Sequence, residues 1–143
     1  MTTTEIKTEL NRAKEAKRAY KLAKDKADDY EHLLIGGKSV RYDSDGSKSE
    51  RKGNSVENAY CQLADYKAEA DKLLKEMSSA REHTERLIDT VANPVQREVL
   101  TRRYIIGQRW EDIAESMNYS RQHVTRLHGY ALKTLCLNVT FSP

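Results

Sequence analysis

Residues 5–35 contain neither Gly nor Pro, and their apolar or small side chains recur in steps of three and four: Ile6, Leu10, Ala13, Ala16, Tyr20, Ala23, Ala27, Tyr30 and Leu34. That period places one stripe along a single face of a helix and is incompatible with the two-residue alternation of a strand. A helix of this length with only one apolar stripe cannot be buried all round, so it must find a partner for its seam. The same sequence supplies one. Val56, Tyr60, Leu63, Tyr66, Ala70, Leu73, Met77, Ala80, Thr84, Leu87 and Val91 repeat in threes and fours along a second run of helix formers. Helix one over residues 1–35 and helix two over 56–92 therefore predict an antiparallel coiled-coil hairpin, roughly 40–50 Å long at ~1.5 Å per residue.

The stretch between them, 36–55, is rich in Gly, Ser and charge, and Gly36-Gly37 provides the left-handed backbone that ends a helix. It has too little apolar surface to order itself and is expected to be a flexible linker. Gly37-Lys38-Ser39 fits the end of a phosphate loop, but His32 stands where that motif needs its first Gly, which excludes nucleotide binding. The first seam holds four alanines and few large residues, so the hairpin alone packs weakly. A homodimer formed through the coiled coil is the expected remedy.

Composition agrees with exposed helices on a modest core: 38% of residues are hydrophobic, 33% are charged, and there is one Phe and one Trp. Cys61 and Cys136 stand alone, without CxxC or Cys/His spacing, which argues against a disulfide framework or a structural metal. No apolar run approaches the ~20 residues of a membrane span, and no leader pattern precedes the first helix, so a cytoplasmic protein is expected. The carboxylates are scattered over helix faces without a catalytic grouping. No enzyme, cofactor, metal or small-molecule substrate is expected.

The charge distribution points elsewhere. Residues 56–91 carry five Lys/Arg against eight Asp/Glu, whereas 92–143 carry seven against four, all Arg but Lys133. A basic, Arg-biased end is suited to phosphate. The boundary of that end is marked by Asn93 as an N-cap, Pro94 at the first helical position and Gln96 at the capping-box position. Three helices fit the segment, at about 94–106, 110–117 and 120–135, with 136–143 as a tail. Gly107 ends the first, Asn118 tolerates the left-handed turn after the second, and Ser120 caps the third. In Trp110-Glu-Asp-Ile-Ala-Glu-Ser-Met-Asn-Tyr-Ser-Arg-Gln-His-Val-Thr-Arg-Leu, the positions Ile113, Met117, Val124 and Leu127 pack two short helices together. Ala114 is small at their crossing, and Tyr119 is expected to plug the turn. This is the spacing of a helix-turn-helix.

Residues 93–135 resemble the fourth region of bacterial sigma factors, through Arg97-Glu-Val-Leu-Thr-Arg-Arg-Tyr-Ile-Ile-Gly, Trp-Glu-Asp-Ile-Ala, Tyr-Ser-Arg-Gln-His-Val-Thr-Arg-Leu and Ala131-Leu-Lys-Thr-Leu. Their setting behind a helical N-terminus is similar to small phage and prophage regulators of the ArpU/RinA type. Nothing resembles the promoter-melting or core-binding regions of a primary sigma factor. The resemblance implies an all-α regulator that binds double-stranded promoter DNA and acts with RNA polymerase.

Within the third helix, Arg121, Gln122, Thr125 and Arg126 are the exposed N-terminal positions that would read bases, Arg to guanine, Gln to adenine and Thr to a thymine methyl. Arg102, Arg103, Arg109, Ser120 and Lys133 are expected on phosphates, which position a protein without reading sequence. His123, His128 and Trp110 are better read as surface or packing residues. Two other readings fit the same pattern, a small-terminase-like subunit of phage DNA packaging and a sigma-like module that docks on protein without reading DNA.

Overall fold

A computed structural model of the chain describes residues 1–36 and 49–140, the side chains of 49–54 excepted. The described residues form only helices: α1 (Thr3–Gly36), α2 (Ser49–Asp89), α3 (Pro94–Leu100), a π-helical turn (Thr101–Ile106), α4 (Trp110–Met117) and α5 (Arg121–Thr140). The all-α class and the pair of long helices are as expected. Residues 37–48 of the expected linker lie outside the described residues, and 49–55 belong to α2, not to a linker. Contacts divide the chain into two compact units, one of Met1–Ala16 with Met77–Pro143 and the other of Lys17–Glu76.

In the second unit α1 and α2 form an antiparallel hairpin. The Tyr30 and Tyr66 rings meet edge to face at 5.2 Å, and the Lys67 ammonium bridges Glu31 at 3.1 Å. Ala27, Leu63 and Ala70 are buried between the helices. Lys26 lies 4.4 Å over the Tyr66 ring, beside a shallow groove floored by Ala19, Ala23 and Leu73. Every seam position of α1 is buried or half-buried, but one of α2 is not. Tyr60 is 44% exposed, and half-buried Ala59 takes the seam position instead. The step of four back from Leu63 falls on Ala59, one residue from Tyr60.

The first unit begins with a cap that the heptad reading passes over. The Thr2 amide donates to Glu5 Oε2 at 2.7 Å and the Glu5 amide to Thr2 Oγ1 at 3.3 Å, a reciprocal capping box at the start of α1. Ile6 and Leu10 then enter a core with Ile88 at the end of α2, Val91 just beyond it, Leu100, Tyr104 and Ile105, and Ala131, Leu132 and Leu135 of α5. A smaller cluster, Val99, Ile113, Ala114 and Val124 with Trp110, Met117 and Leu127 against it, packs α3, α4 and α5 together. The expected tail at 136–143 is helical as far as Thr140, because Cys136 and Val139 continue the apolar face of α5 against the larger core and Asn138 Nδ2 donates to the Thr90 carbonyl at 2.9 Å.

One seam residue is polar. Thr84 is fully buried, and its hydroxyl has no hydrogen-bond partner among the described residues. Stranding such a group costs about 1–3 kcal/mol. Thr84→Val keeps the shape and β-branching while removing the hydroxyl, so it is expected to raise the Tm by several degrees in a calorimetric melt. An unchanged or lower Tm would show that the hydroxyl is satisfied in solution.

Candidate nucleic-acid interface

The interface is built by three short elements whose ends are defined by local chemistry. Asn93 Oδ1 accepts from the amides of Val95 (2.9 Å) and Gln96 (3.3 Å), and Pro94 holds the first helical position, where no amide hydrogen is needed. Gln96, at the expected capping-box position, has its Oε1 3.4 Å from the Thr134 hydroxyl of α5, which also reaches the Tyr130 carbonyl at 3.0 Å. The single helix expected over about 94–106 is instead α3 followed by the π-helical turn. Its widened turn ends where the Gly107 amide reaches the Arg102 carbonyl at 3.0 Å, with Gly107 at φ 87°. A β-carbon is disfavoured at that angle, which accounts for Gly at this position.

Between α4 and α5 the chain turns through Asn118 at φ 58°, ψ 40°. The Tyr119 amide donates to the Ala114 carbonyl at 2.9 Å and the Asn118 amide to that of Glu115 at 3.3 Å, the paired bonds of a Schellman termination. Ser120 Oγ then accepts from the His123 amide at 3.1 Å and starts α5. Tyr119 does not plug the turn as expected. Its ring is 39% exposed and meets the His123 ring edge on at 4.7 Å, because Ile113, Ala114 and Val124 already fill the space beneath.

Burial of Val124, His128, Ala131, Leu132 and Leu135 fixes which face α5 turns outward. Arg121, Gln122, Thr125 and Arg126 are all exposed in its first two turns, as their positions predict. Lys133 is exposed on the same face as Gln122 and Arg126, at i+11 and i+7 from them. Thr125 Oγ1 donates back to the Gln122 carbonyl at 2.9 Å. Arg121 NH1 is 3.2 Å from Glu111 Oε1, an ion pair joining the starts of α5 and α4.

The arginines expected on phosphates separate into two kinds. Arg109 is exposed at the N-cap of α4, where the neighbouring Asp112 carboxylate, 3.2 Å away, strengthens its hold on the proton. Arg102 and Arg103, also expected on phosphates, are half-buried and engaged within the protein. Arg102 faces Glu98 at 3.6 Å and Gln108 Oε1 at 3.4 Å, with its Nε buried and without a hydrogen-bond partner among the described residues. Arg103 donates to the Gln108 carbonyl at 3.0 Å and lies 4.4 Å over the Trp110 ring. Both brace the loop at Gln108 that leads from the π-helical turn into α4.

Behind the exposed face, His128 is buried. Its Nε2 and the Tyr104 hydroxyl share a hydrogen bond of 2.7 Å, and its ring meets Trp110 edge on at 4.8 Å. Desolvation pulls the imidazole down to about 4, and the nearby cations Lys7 and Arg103 push the same way. The same burial raises the Tyr104 hydroxyl above its ordinary value. His128 is thus a neutral packing residue at physiological pH.

Two short helices at a tight left-handed turn, with polar side chains exposed on the first turns of the second helix, define a helix-turn-helix domain. The family model for sigma-70, region 4, matches residues 93–135. This segment is therefore a helix-turn-helix similar to region 4 of sigma-70, in a chain that begins with two long helices. No curated protein and no solved structure matches the chain. Among the described residues no helix is long and apolar enough to cross a membrane.

Proposed function

We propose that the chain is a sequence-specific DNA-binding transcription regulator, a phage-type activator of the ArpU/RinA kind acting at promoter DNA with RNA polymerase. The observation that carries this reading is the joint exposure of Arg121, Gln122, Thr125 and Arg126 on the first two turns of α5, over a buried face that fixes their direction. In a helix-turn-helix that end of the second helix enters the major groove. Arg109 and Lys133, exposed at the margins, are the phosphate-contacting residues on this reading, with Ser120 beside them at the cap. Arg102 and Arg103 support the fold beneath. The protein acts by binding, in the cytoplasm, without a catalytic step or a cofactor.

One small helix-turn-helix buries too little surface for high specific affinity. A dimer, formed by the coiled-coil hairpins, supplies a second recognition helix and predicts an operator with two half-sites. The test is selection of retained sequences from random duplexes at about 150 mM salt, where non-specific binding is weak. An enriched motif is expected. Arg121→Ala and Arg126→Ala are each expected to weaken binding to it by roughly 5- to 150-fold, the ~1–3 kcal/mol of one bidentate base contact. No enrichment, or unchanged affinity in both variants, would overturn the base-reading role.

A further inference from the structure

Positions along the unit of Lys17–Glu76 reveal a charge pattern that the helix-turn-helix does not use. Lys17, Arg18, Lys21 and Lys24 are all exposed on α1. At offsets of one, four and seven residues they fall within about a third of the helix circumference. No acidic residue occurs between Lys17 and Lys24. None of the four has an ion pair or hydrogen bond with another described side chain.

Several other cations of the long helices are engaged, whereas Lys7, Lys14, Lys72 and Lys75, like the stripe, form no ion pair among the described residues. Lys26, around the helix from this stripe, lies over Tyr66, and Lys67 is bound to Glu31. Arg12 pairs with Glu9, Arg81 with Glu85 and Arg86 with Glu82. The nearest carboxylates on this arc, Asp25 and Asp28, lie four residues beyond Lys21 and Lys24 and form no ion pair with them among the described residues. Neighbouring cations repel one another, and a polyanion relieves that repulsion.

We propose that Lys17, Arg18, Lys21 and Lys24 form a second DNA-contacting surface, which binds the phosphodiester backbone outside the sequence read by α5. The proposal rests on the DNA-binding reading above. Three of the four residues are lysines, strongly hydrated point charges suited to phosphate but not to the planar, bidentate recognition of a base edge. The stripe extends about 10 Å along the helix axis, comparable to the rise over three phosphates of one strand. Joined to a sequence-reading domain in the same chain, such a surface contributes affinity without contributing specificity.

The test compares the full-length protein with the variant carrying Lys17→Gln, Arg18→Gln, Lys21→Gln and Lys24→Gln, on long duplexes containing the selected motif, over 50–300 mM salt. Each phosphate neutralised on B-DNA contributes about 0.9 to the slope of log K against log salt. The variant is expected to lose about 2–3 from that slope and to retain the same sequence preference. A second variant, Lys17→Arg, Lys21→Arg and Lys24→Arg, keeps the charge and is expected to keep the slope. A control with Lys72→Gln and Lys75→Gln on α2 reports the effect of net charge alone. Retention of DNA with an unaltered slope in the first variant, or a slope lost equally per charge in the control, would overturn this surface while leaving base reading intact. Failure of the parent protein to retain DNA at any salt would overturn both readings.

Discussion

Leu10→Ala is expected to destabilise the unit of Met1–Ala16 with Met77–Pro143 by about 3 kcal/mol, within the 2–5 kcal/mol seen when a large buried aliphatic side chain is cut back to Ala. Leu10 and Ile6 are fully buried, and the residues around them include Leu100, Tyr104, Ala131, Leu132 and Leu135 of the helix-turn-helix domain. The first turns of α1 thus complete a core whose other walls come from the distant stretch between Leu87 and Val139. Trp110 makes the test direct. As the chain's one Trp it sits against the smaller cluster of α3, α4 and α5, remote from Leu10 in sequence. Urea unfolding followed by Trp110 fluorescence is expected to shift to lower midpoint in Leu10→Ala by the same amount as unfolding followed by circular dichroism. A fluorescence transition that stayed in place would show that residues 93–135 fold without help from α1.

Stability is expected to fall in mild acid by up to about 3 kcal/mol between pH 6.5 and pH 4, through His128. In the unfolded chain its imidazole takes up a proton near the ordinary value of 6.5, whereas burial holds it to about 4 in the folded protein. The unfolded state therefore binds more protons across that window. The contribution is complete above pH 6.5, declines as pH falls and levels off below about 4. Protonation would also convert the Nε2 that faces the Tyr104 hydroxyl from either role to a donor only. His128→Gln removes the titrating group, so its stability is expected to decline less over the same range, and the difference between the two pH profiles isolates this residue from the carboxylates. Parallel profiles would show that His128 is protonated in the folded protein without penalty.

Much of this fold is legible in the order of residues. Periods of three and four specify long helices whatever their partners, because side-chain direction on a helix depends only on sequence spacing. Asn118 and Gly107 mark left-handed turns, and Ser120 and Asn93 mark helix starts, through steric and hydrogen-bonding constraints that act within a few residues. The outward direction of Arg121, Gln122, Thr125 and Arg126 follows from the apolar set at Val124, Leu127 and Ala131, which is again a local relation.

Other features depend on groups brought together from distant positions. Arg102 and Arg103 have the same composition signal as Arg109, but the π-helical turn directs them to the Gln108 loop and Trp110, while Arg109 remains at the surface. The pairing of Glu111 with Arg121 arises from the turn between α4 and α5, and spacing along the chain carries no mark of it. Tyr60 and Ala59 differ by one residue, and the choice between them is made by the register of the partner helix. The placement of Ile6 and Leu10 under α5 has the same origin. Sequence specified that these two side chains had to be covered. Which surface covers them was decided by the tertiary structure, because hydrophobic burial has no direction and rewards any well-packed partner.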